Sequence, residues 1–170
     1  MTPQQLILKK QSSEKLVMLT AYDFITASIL EEIGVDMILV GDSLGNVFAG
    51  HDSTIPVTVD QIIYHTQIVT RAAKNSFVIA DMPFLSYQVS LEDTKRNAGR
   101  LIKEGGAQAV KVEIGQQSLD YVKAIIDMGI PVLAHIGFTP QMIHSLGGFK
   151  VQGRSKEQHD FLISRAKELE

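Results

Sequence analysis

Short apolar runs recur along the chain, and the segments between them carry the periodicity of helices. Five runs contain neighbouring aliphatic residues without polar alternation: Leu16–Ala21, Met37–Val40, Phe77–Ala80, Ala109–Val112 and Val132–Ile136. Continuous apolar runs of this length are typical of parallel strands that are buried on both faces. We therefore predict five strands, each covered on both sides.

Residues that begin and end helices stand between these runs. The candidate N-terminal caps are Asp23, Thr58, Ser90, Thr139 and Ser155. Gln61 and Gln158 follow two of these caps at capping-box spacing, and Pro140 occupies a first helical position. Gly34 and the pair at 105–106 are placed to end two of the helices. The predicted order is therefore a repeated β-α unit.

Repeated β-α units predict parallel strands with right-handed crossovers, in a doubly wound sheet or a (β/α)8 barrel. No Gly-x-Gly-x-x-Gly pattern follows the first predicted strand, which disfavours the dinucleotide-binding sheet. We predict an α/β fold of the TIM-barrel type. Since a full barrel takes about 250 residues and this chain has 170, we expect residues 1–170 to form a single barrel domain that has about the first five units and lacks its C-terminal strands.

Composition excludes several classes of partner. The formal net charge is −3 and the basic residues are scattered, so the electrostatic footprint of nucleic-acid binding is missing. No apolar run approaches the roughly 20 residues of a membrane span. The sequence has no cysteine, which excludes disulfides and thiolate metal sites and fits a cytoplasmic location. We expect a soluble, cytoplasmic protein without nucleic-acid or membrane partners.

Polar side chains stand at the carboxyl ends of four predicted strands. They are Asp42 and Ser43 after the second strand, Asp81 after the third, Lys111 and Glu113 on the fourth and His135 on the fifth. Because parallel strands place these ends on one face, where α/β proteins build active sites, the side chains are predicted to converge. Most of them also have a structural interpretation: a strand-end Asp often forms a cap or turn, His135 could be a hydrogen-bonded histidine of the core or of a loop, and Lys111 with Glu113 could form a buried ion pair.

The two aspartates predict a site for a hard cation that prefers oxygen ligands, such as Mg²⁺. The sequence does not distinguish Mg²⁺ from Mn²⁺. Zn²⁺ is disfavoured, because His135 alone among the histidines stands at a predicted strand end.

Several longer motifs, in order along nearly the whole chain, resemble the ketopantoate hydroxymethyltransferase family. They are MLTAYD (18–23), ILVGDSLG (38–45), DSTIPVT (52–58) with IIYHT (62–66), ADMPF with SYQ (80–88), KEGGAQAVKVE (103–113), GIPVLAHIGFTPQ (129–141) and LGGFKVQGR (146–154). The resemblance implies a (β/α)8 barrel related in architecture to enzymes that act on phosphoenolpyruvate and pyruvate.

The resemblance also implies a reaction. A hydroxymethyl group would pass from 5,10-methylenetetrahydrofolate, the one-carbon donor, to 3-methyl-2-oxobutanoate through a Mg²⁺-stabilised enolate. The product would be 2-dehydropantoate, for pantothenate and coenzyme A synthesis. The family further implies a homo-oligomer, a decamer of two pentameric rings.

By the same resemblance, the six strand-end residues have roles. Those that would bind the metal are Asp42 and Asp81, with Glu113 adjoining it through water. Those that would contact the keto acid are Asp42, Ser43, Asp81, Lys111 and His135. The family's general base, a glutamate of the sixth strand, is expected beyond residue 170. We therefore expect the chain by itself to be inactive or severely impaired, since a missing base costs about 10²- to 10⁴-fold in rate.

Two alternative functions remain. A Mg²⁺-dependent lyase or mutase of the phosphoenolpyruvate/pyruvate type would use a similar enolate without a folate donor. A truncated barrel kept as a binding or assembly subunit would bind keto acid and Mg²⁺ without catalysis.

Overall fold

The computed structural model describes residues 1–116 and 119–170, which contain one sheet of five parallel strands. The strands are β1 (Met18–Thr20), β2 (Met37–Val40), β3 (Phe77–Asp81), β4 (Ala109–Glu113) and β5 (Val132–His135). They lie side by side in the order in which they occur in the sequence. A doubly wound sheet reverses its strand order at a switch point, whereas consecutive order is that of a (β/α)8 barrel. The predicted fold class is confirmed.

Helices follow or precede each strand. They are α1 (Pro3–Gln11), α2 (Phe24–Glu32), α3 (Leu44–Val47), α4 (Val59–Ala72), α5 (Leu91–Lys103), α6 (Asp120–Ile126), α7 (Ile143–Leu146) and α8 (Lys156–Leu169), with a 3₁₀ turn at Pro140–Met142. Helix α2 ends two residues before the predicted Gly34, which takes a φ of 78°. Helices α1, α3 and α6 were not predicted.

Four of the five predicted caps accept a hydrogen bond from the backbone N–H three positions ahead. These caps are Asp23, Thr58, Ser90 and Ser155. Gln61 completes the predicted box by accepting from the Thr58 N–H at 2.8 Å, whereas Ser155 provides only the serine half. Thr139 makes no side-chain cap bond, and the helix predicted after it is a single 3₁₀ turn followed by a four-residue helix.

The strands differ in burial because of their places in the sheet. Strand β3 is buried along its whole length, and β4 nearly so. The prediction of two covered faces is wrong for β1, which is exposed at all three residues, and for β5, which is half-buried. These two strands are the edges of the sheet and have a neighbouring strand on one side only.

Two apolar layers pack against the sheet. Val78 and Ala80 of β3 face the helices and belong to the larger core, whereas Phe77 and Ile79 face the other side. On that side they pack with a small cluster that includes Leu6 of α1. Alternate residues of one buried strand thus contribute to two layers, as the period of a strand requires.

Polar contacts hold helix α1 at the amino ends of the strands. Lys9 Nζ lies 2.6 Å from Asp36 Oδ1, and Asp36 Oδ2 accepts from the Val17 N–H at 2.8 Å. The Met1 amino group hydrogen-bonds the Asn75 carbonyl. These contacts place α1 across the end of the sheet opposite to the strand-end polar residues. Within the two described ranges, no helix has the length and apolar character needed to cross a membrane.

Candidate active site

Strands β2, β3 and β4 bring Asp42, Asp81 and Lys111 together at the carboxyl end of the sheet. The Asp42 N–H donates to Asp81 Oδ2 at 2.9 Å. Lys111 Nζ lies 2.5 Å from Asp81 Oδ1, and these two residues are register partners on neighbouring strands. Both carboxylates are almost completely buried. Lys111 therefore forms its ion pair with Asp81, and the alternative ion pair of Lys111 with Glu113 does not form.

The charges of this cluster are unbalanced. Burial, then the carboxylate of Asp81, raises the pKa of Asp42 to about 7, although a hydrogen bond from Gln141 and the charge of Lys111 act in the opposite direction. For Lys111, burial lowers the pKa, but the carboxylates of Asp81, Asp42 and Glu113 together outweigh burial and the net pKa is raised. Two close carboxylates thus share one ammonium, which is the arrangement that disfavours ionising both.

Glu113 and His135 form a second pair one strand further along the sheet. They are register partners of β4 and β5. His135 Nδ1 lies 3.4 Å from Glu113 Oε1, but the geometry is not that of a hydrogen bond, and Nδ1 has no hydrogen-bond partner among residues 1–116 and 119–170. The other carboxylate oxygen, Glu113 Oε2, accepts from the Gln141 backbone N–H at 2.9 Å.

Ser43 lies at the turn from β2 into α3. Its Oγ is 2.7 Å from the hydroxyl of Tyr22, which follows β1. The preceding Gly41 leaves space that the turn needs, since a Cβ there would stand 2.9 Å from Ser43 Oγ and 3.3 Å from Asp81 Oδ2. The strand ends at Gly-Asp-Ser because the chain must turn closely past the Asp81 carboxylate.

Sequence reasoning missed Gln141 and Tyr87. Gln141 Nε2 donates to Asp42 Oδ2 at 2.8 Å, and its Oε1 accepts from the Tyr87 hydroxyl at 2.8 Å. Both side chains are buried. A glutamine after Thr-Pro indicates only a helix start, so the one available signal was its position beyond a strand end.

The donor set fits Mg²⁺. No group of three or more His, Cys, Asp or Glu side chains in the described parts of the chain is arranged to hold a metal by itself. Mg²⁺ is commonly held by one or two carboxylates, with water and substrate as its other ligands. Asp42 and Asp81 supply such oxygens, and a cation would favour the ionised form of Asp42, whose pKa is raised first by burial and then by the charge of Asp81.

The chain resembles known proteins in sequence and in fold. The family model for ketopantoate hydroxymethyltransferase matches residues 1–170. The 3-methyl-2-oxobutanoate hydroxymethyltransferase of Geobacter sulfurreducens is 58% identical over 157 residues, covering 92% of this chain and 59% of the relative. That of Geobacter metallireducens is 55% identical over 161 residues, covering 95% and 60%. The chain thus spans about 60% of the length of these curated relatives.

Solved structures with a similar fold are more distant in sequence. The phosphoenolpyruvate phosphomutase of Streptomyces platensis subsp. rosaceus has a TM-score of 0.62 at 16% identity, covering 79% of this chain and 53% of that one. A phosphonopyruvate hydrolase, in complex with oxalate and Mg²⁺, has a TM-score of 0.58 at 15% identity, covering 79% and 52%. At these identities the likeness shows the fold. By its sequence, the chain belongs to the ketopantoate hydroxymethyltransferase family.

Proposed function

We propose that the protein transfers a hydroxymethyl group from 5,10-methylenetetrahydrofolate to 3-methyl-2-oxobutanoate, giving 2-dehydropantoate for pantothenate and coenzyme A synthesis. The observation that carries this proposal is the Lys111–Asp81 pair at 2.5 Å, held against Asp42 at the carboxyl end of the sheet. The pair brings one ammonium and two carboxylates together, and this set of charges suits a keto acid bound with a divalent cation. Family membership supports the same reaction.

The side chains of this cluster suit a keto acid. The Lys111 side chain keeps 14% of its surface exposed, so its ammonium can attract the substrate carboxylate while it remains beside Asp81. Ser43 and His135 can donate hydrogen bonds to substrate oxygens. Loss of a proton from the carbon beside the ketone builds negative charge on the keto oxygen, and preorganised donors lower the cost of that charge.

Asp42 and Asp81 would hold Mg²⁺, with Glu113 adjoining it through water. When bound, the cation supplies positive charge that stabilises an enolate oxygen. It also relieves the repulsion between the two aspartates, which the protein alone offsets with Lys111 and Gln141.

The general base is a separate requirement. Glu113 is the one glutamate at the carboxyl end of a strand within residues 1–116 and 119–170. Its carboxylate is held by the Gln141 N–H and faces His135, so we assign it to the surroundings of the cation. We propose that the base comes from outside these residues and that residues 1–170 are the first five units of the barrel domain.

Deuterium exchange at C3 of 3-methyl-2-oxobutanoate separates the steps of this proposal. We expect residues 1–170 to bind the keto acid with Mg²⁺, measured by calorimetry, while exchange and 2-dehydropantoate formation lie about 10²- to 10⁴-fold below those of the full-length curated relatives. Lys111→Gln should abolish keto acid binding, whereas Arg96→Gln, on the exposed side of α5, should not. Binding that ignores Lys111 would contradict the proposed site.

The same measurements on a complete protein, in which the proposed base is present, separate the alternatives. A lyase or mutase would cleave or rearrange its substrate without the folate donor. A binding subunit would bind keto acid in the complete protein without exchange or product. Product formation that requires the donor supports the transferase.

We also propose a homo-oligomer in the cytoplasm. Helix α2 and its C-cap residue carry an exposed stripe of isoleucines at Ile25, Ile29 and Ile33, with 72%, 54% and 66% of their surfaces accessible. A stripe of this kind is typical of a contact surface. Light scattering after size exclusion should give a mass above that of a monomer, and Ile29→Lys should lower it.

A further inference from the structure

A single buried residue joins two carboxylates that the sheet itself does not connect. Asp42 follows β2 and Glu113 ends β4, and β3 lies between these strands. Gln141 donates to both: its side-chain Nε2 to Asp42 Oδ2 at 2.8 Å, and its backbone N–H to Glu113 Oε2 at 2.9 Å. We propose that Gln141 is a positioning residue that fixes these carboxylates for a divalent cation. This inference rests on the proposed cation site.

The orientation of the Gln141 amide is determined by its other contacts. Nε2 also donates to the Met82 carbonyl at 2.9 Å, while Oε1 accepts from the Tyr87 hydroxyl at 2.8 Å. An amide rotated by half a turn would place Oε1 against the Asp42 carboxylate and the Met82 carbonyl, two acceptors. Gln141 therefore presents an N–H, and not an oxygen, to Asp42.

Tyr87 holds the amide from behind. Its hydroxyl lies 3.1 Å from the Glu113 backbone nitrogen and 3.2 Å from the Glu113 carbonyl oxygen, and its ring is 5.2 Å from that of Tyr121. Its side chain is 2% exposed. Tyr87 and Gln141 are also among the residues that line an apolar pocket of about 460 Å³. Tyr87 thus links the Gln141 amide to the backbone of Glu113.

The consequence for a cation is specific. A carboxylate that accepts a fixed N–H on one oxygen keeps its rotamer and presents the other oxygen for coordination. Partners of this kind in metal sites change affinity by about 10- to 100-fold when they are removed. Gln141 supplies two such donors, one to a proposed ligand and one to the carboxylate that adjoins the ion through water.

The test compares Gln141, which contacts Glu113 at the carboxyl end of β4, with Gln108, which immediately precedes β4. Gln141→Met keeps the length and the backbone N–H but removes the bonds to Asp42 and Met82. The control is Gln108→Met, because Gln108 Oε1 accepts from the Val78 N–H at 3.0 Å and its Nε2 donates to the Met1 carbonyl at 3.2 Å. Mg²⁺ affinity is measured by calorimetry, Mn²⁺ affinity by electron paramagnetic resonance, and thermal unfolding without metal reports stability.

We expect Gln141→Met to weaken Mg²⁺ and Mn²⁺ binding about 10-fold or more, and Gln108→Met to leave both affinities unchanged even if it lowers Tm. If Gln141→Met does not fold, Tyr87→Phe tests the inference instead. It removes the hydroxyl that orients the Gln141 amide and should therefore also weaken Mg²⁺ and Mn²⁺ binding.

Three outcomes overturn the inference. Unchanged Mg²⁺ and Mn²⁺ affinities in both Gln141→Met and Tyr87→Phe would show that Gln141 does not position the carboxylates, although the cation site itself would stand. An equal loss in Gln108→Met would assign the effect to general stability. Failure of the unsubstituted protein to bind either cation would overturn the proposed site itself, and this inference with it.

Discussion

The backbone N–H of Asp42 donates to Oδ2 of Asp81, a residue 39 positions later in the chain. This bond ties the turn after β2 to the end of β3, so the positions of the two carboxylates depend on each other. Both side chains are excluded from water. Their separation and their protonation are therefore properties of the pair.

The pH dependence of stability follows from Asp42. Its pKa is about 7 in the folded protein, against an ordinary value of 3.8. Between these values the folded state keeps a proton that the unfolded state has released. The stabilising contribution is complete below the ordinary pKa and is lost as pH rises through the folded one. We expect Asp42 to contribute a slope of up to about −1.4 kcal/mol per pH unit to the free energy of unfolding.

Urea unfolding without metal, from about pH 4 to about pH 8, measures this slope. Asp42→Asn should remove it, so the stability difference between the unsubstituted protein and the variant should fall with rising pH. Asp60→Asn is the control, because the Asp60 side chain is 77% exposed. A variant slope equal to that of the unsubstituted protein would contradict the assignment to Asp42. Added Mg²⁺ should flatten the slope, since it competes with the proton.

Lys111→Met tests the buried ion pair. The substitution leaves Asp81 without the ammonium that neutralises it, and breaking a buried pair costs about 3 kcal/mol or more. The matched control is Arg96→Met, whose guanidinium is 58% exposed and pairs with exposed Glu92, so its loss should stay within about 1 kcal/mol. Urea unfolding above neutral pH provides the comparison. Equal losses would show that the Lys111 pair is no more important to the fold than a surface pair.

The strands were predictable because they depend on local sequence. A short apolar run is enough to define β3, and the apolar residues on both sides of Lys111 define β4; the β-α repeat then puts Asp81 and Lys111 at one end of the sheet. The exposure of β1 was not predictable in the same way. It results from the position of β1 at the edge of the sheet, and that position depends on which other strands lie beside it.

Long-range contacts set the limit for the site. Gln141 reaches Asp42 across 99 positions, and nothing local in the sequence indicates this contact.

The helices that the sequence analysis did not predict were missed for different reasons. Helix α6 begins at Asp120, and its N-cap residue, Leu119, makes no side-chain cap bond, whereas α1 carries a capping box at Thr2 and Gln5 that was available in the sequence.

Asp36→Asn should release α1. Asp36 accepts from Lys9 Nζ at 2.6 Å and from the Val17 N–H at 2.8 Å, and these bonds, with Lys9 first, hold the pKa of Asp36 below its ordinary value against the effect of burial. The contribution is therefore present above the ordinary pKa and is lost in acid. Amides of residues 3–11 should exchange faster with deuterium in the variant at neutral pH, as followed by mass spectrometry, while those of α5 should not change.

The control for this prediction is Glu14→Gln. Glu14 is the second acidic neighbour of Lys9, at 3.8 Å and with 60% of its side chain exposed. Glu14→Gln should leave the amides of α1 protected from deuterium exchange. Similar exchange in both variants would mean that α1 is held by its apolar residues and not by Asp36.

Two glycines should respond to alanine in opposite directions. A Cβ at Gly41 would meet Ser43 Oγ at 2.9 Å and Asp81 Oδ2 at 3.3 Å, whereas at Gly99, inside α5, the nearest atom is Met128 Cε at 3.6 Å. Gly99→Ala should stabilise the protein by about 0.5–1 kcal/mol, because alanine loses less backbone entropy in a helix. Gly41→Ala should lower Tm and weaken Mg²⁺ binding, because it moves the Asp81 carboxylate. If Gly41→Ala lowers Tm but leaves Mg²⁺ affinity unchanged, the close turn after β2 serves the fold and not the cation.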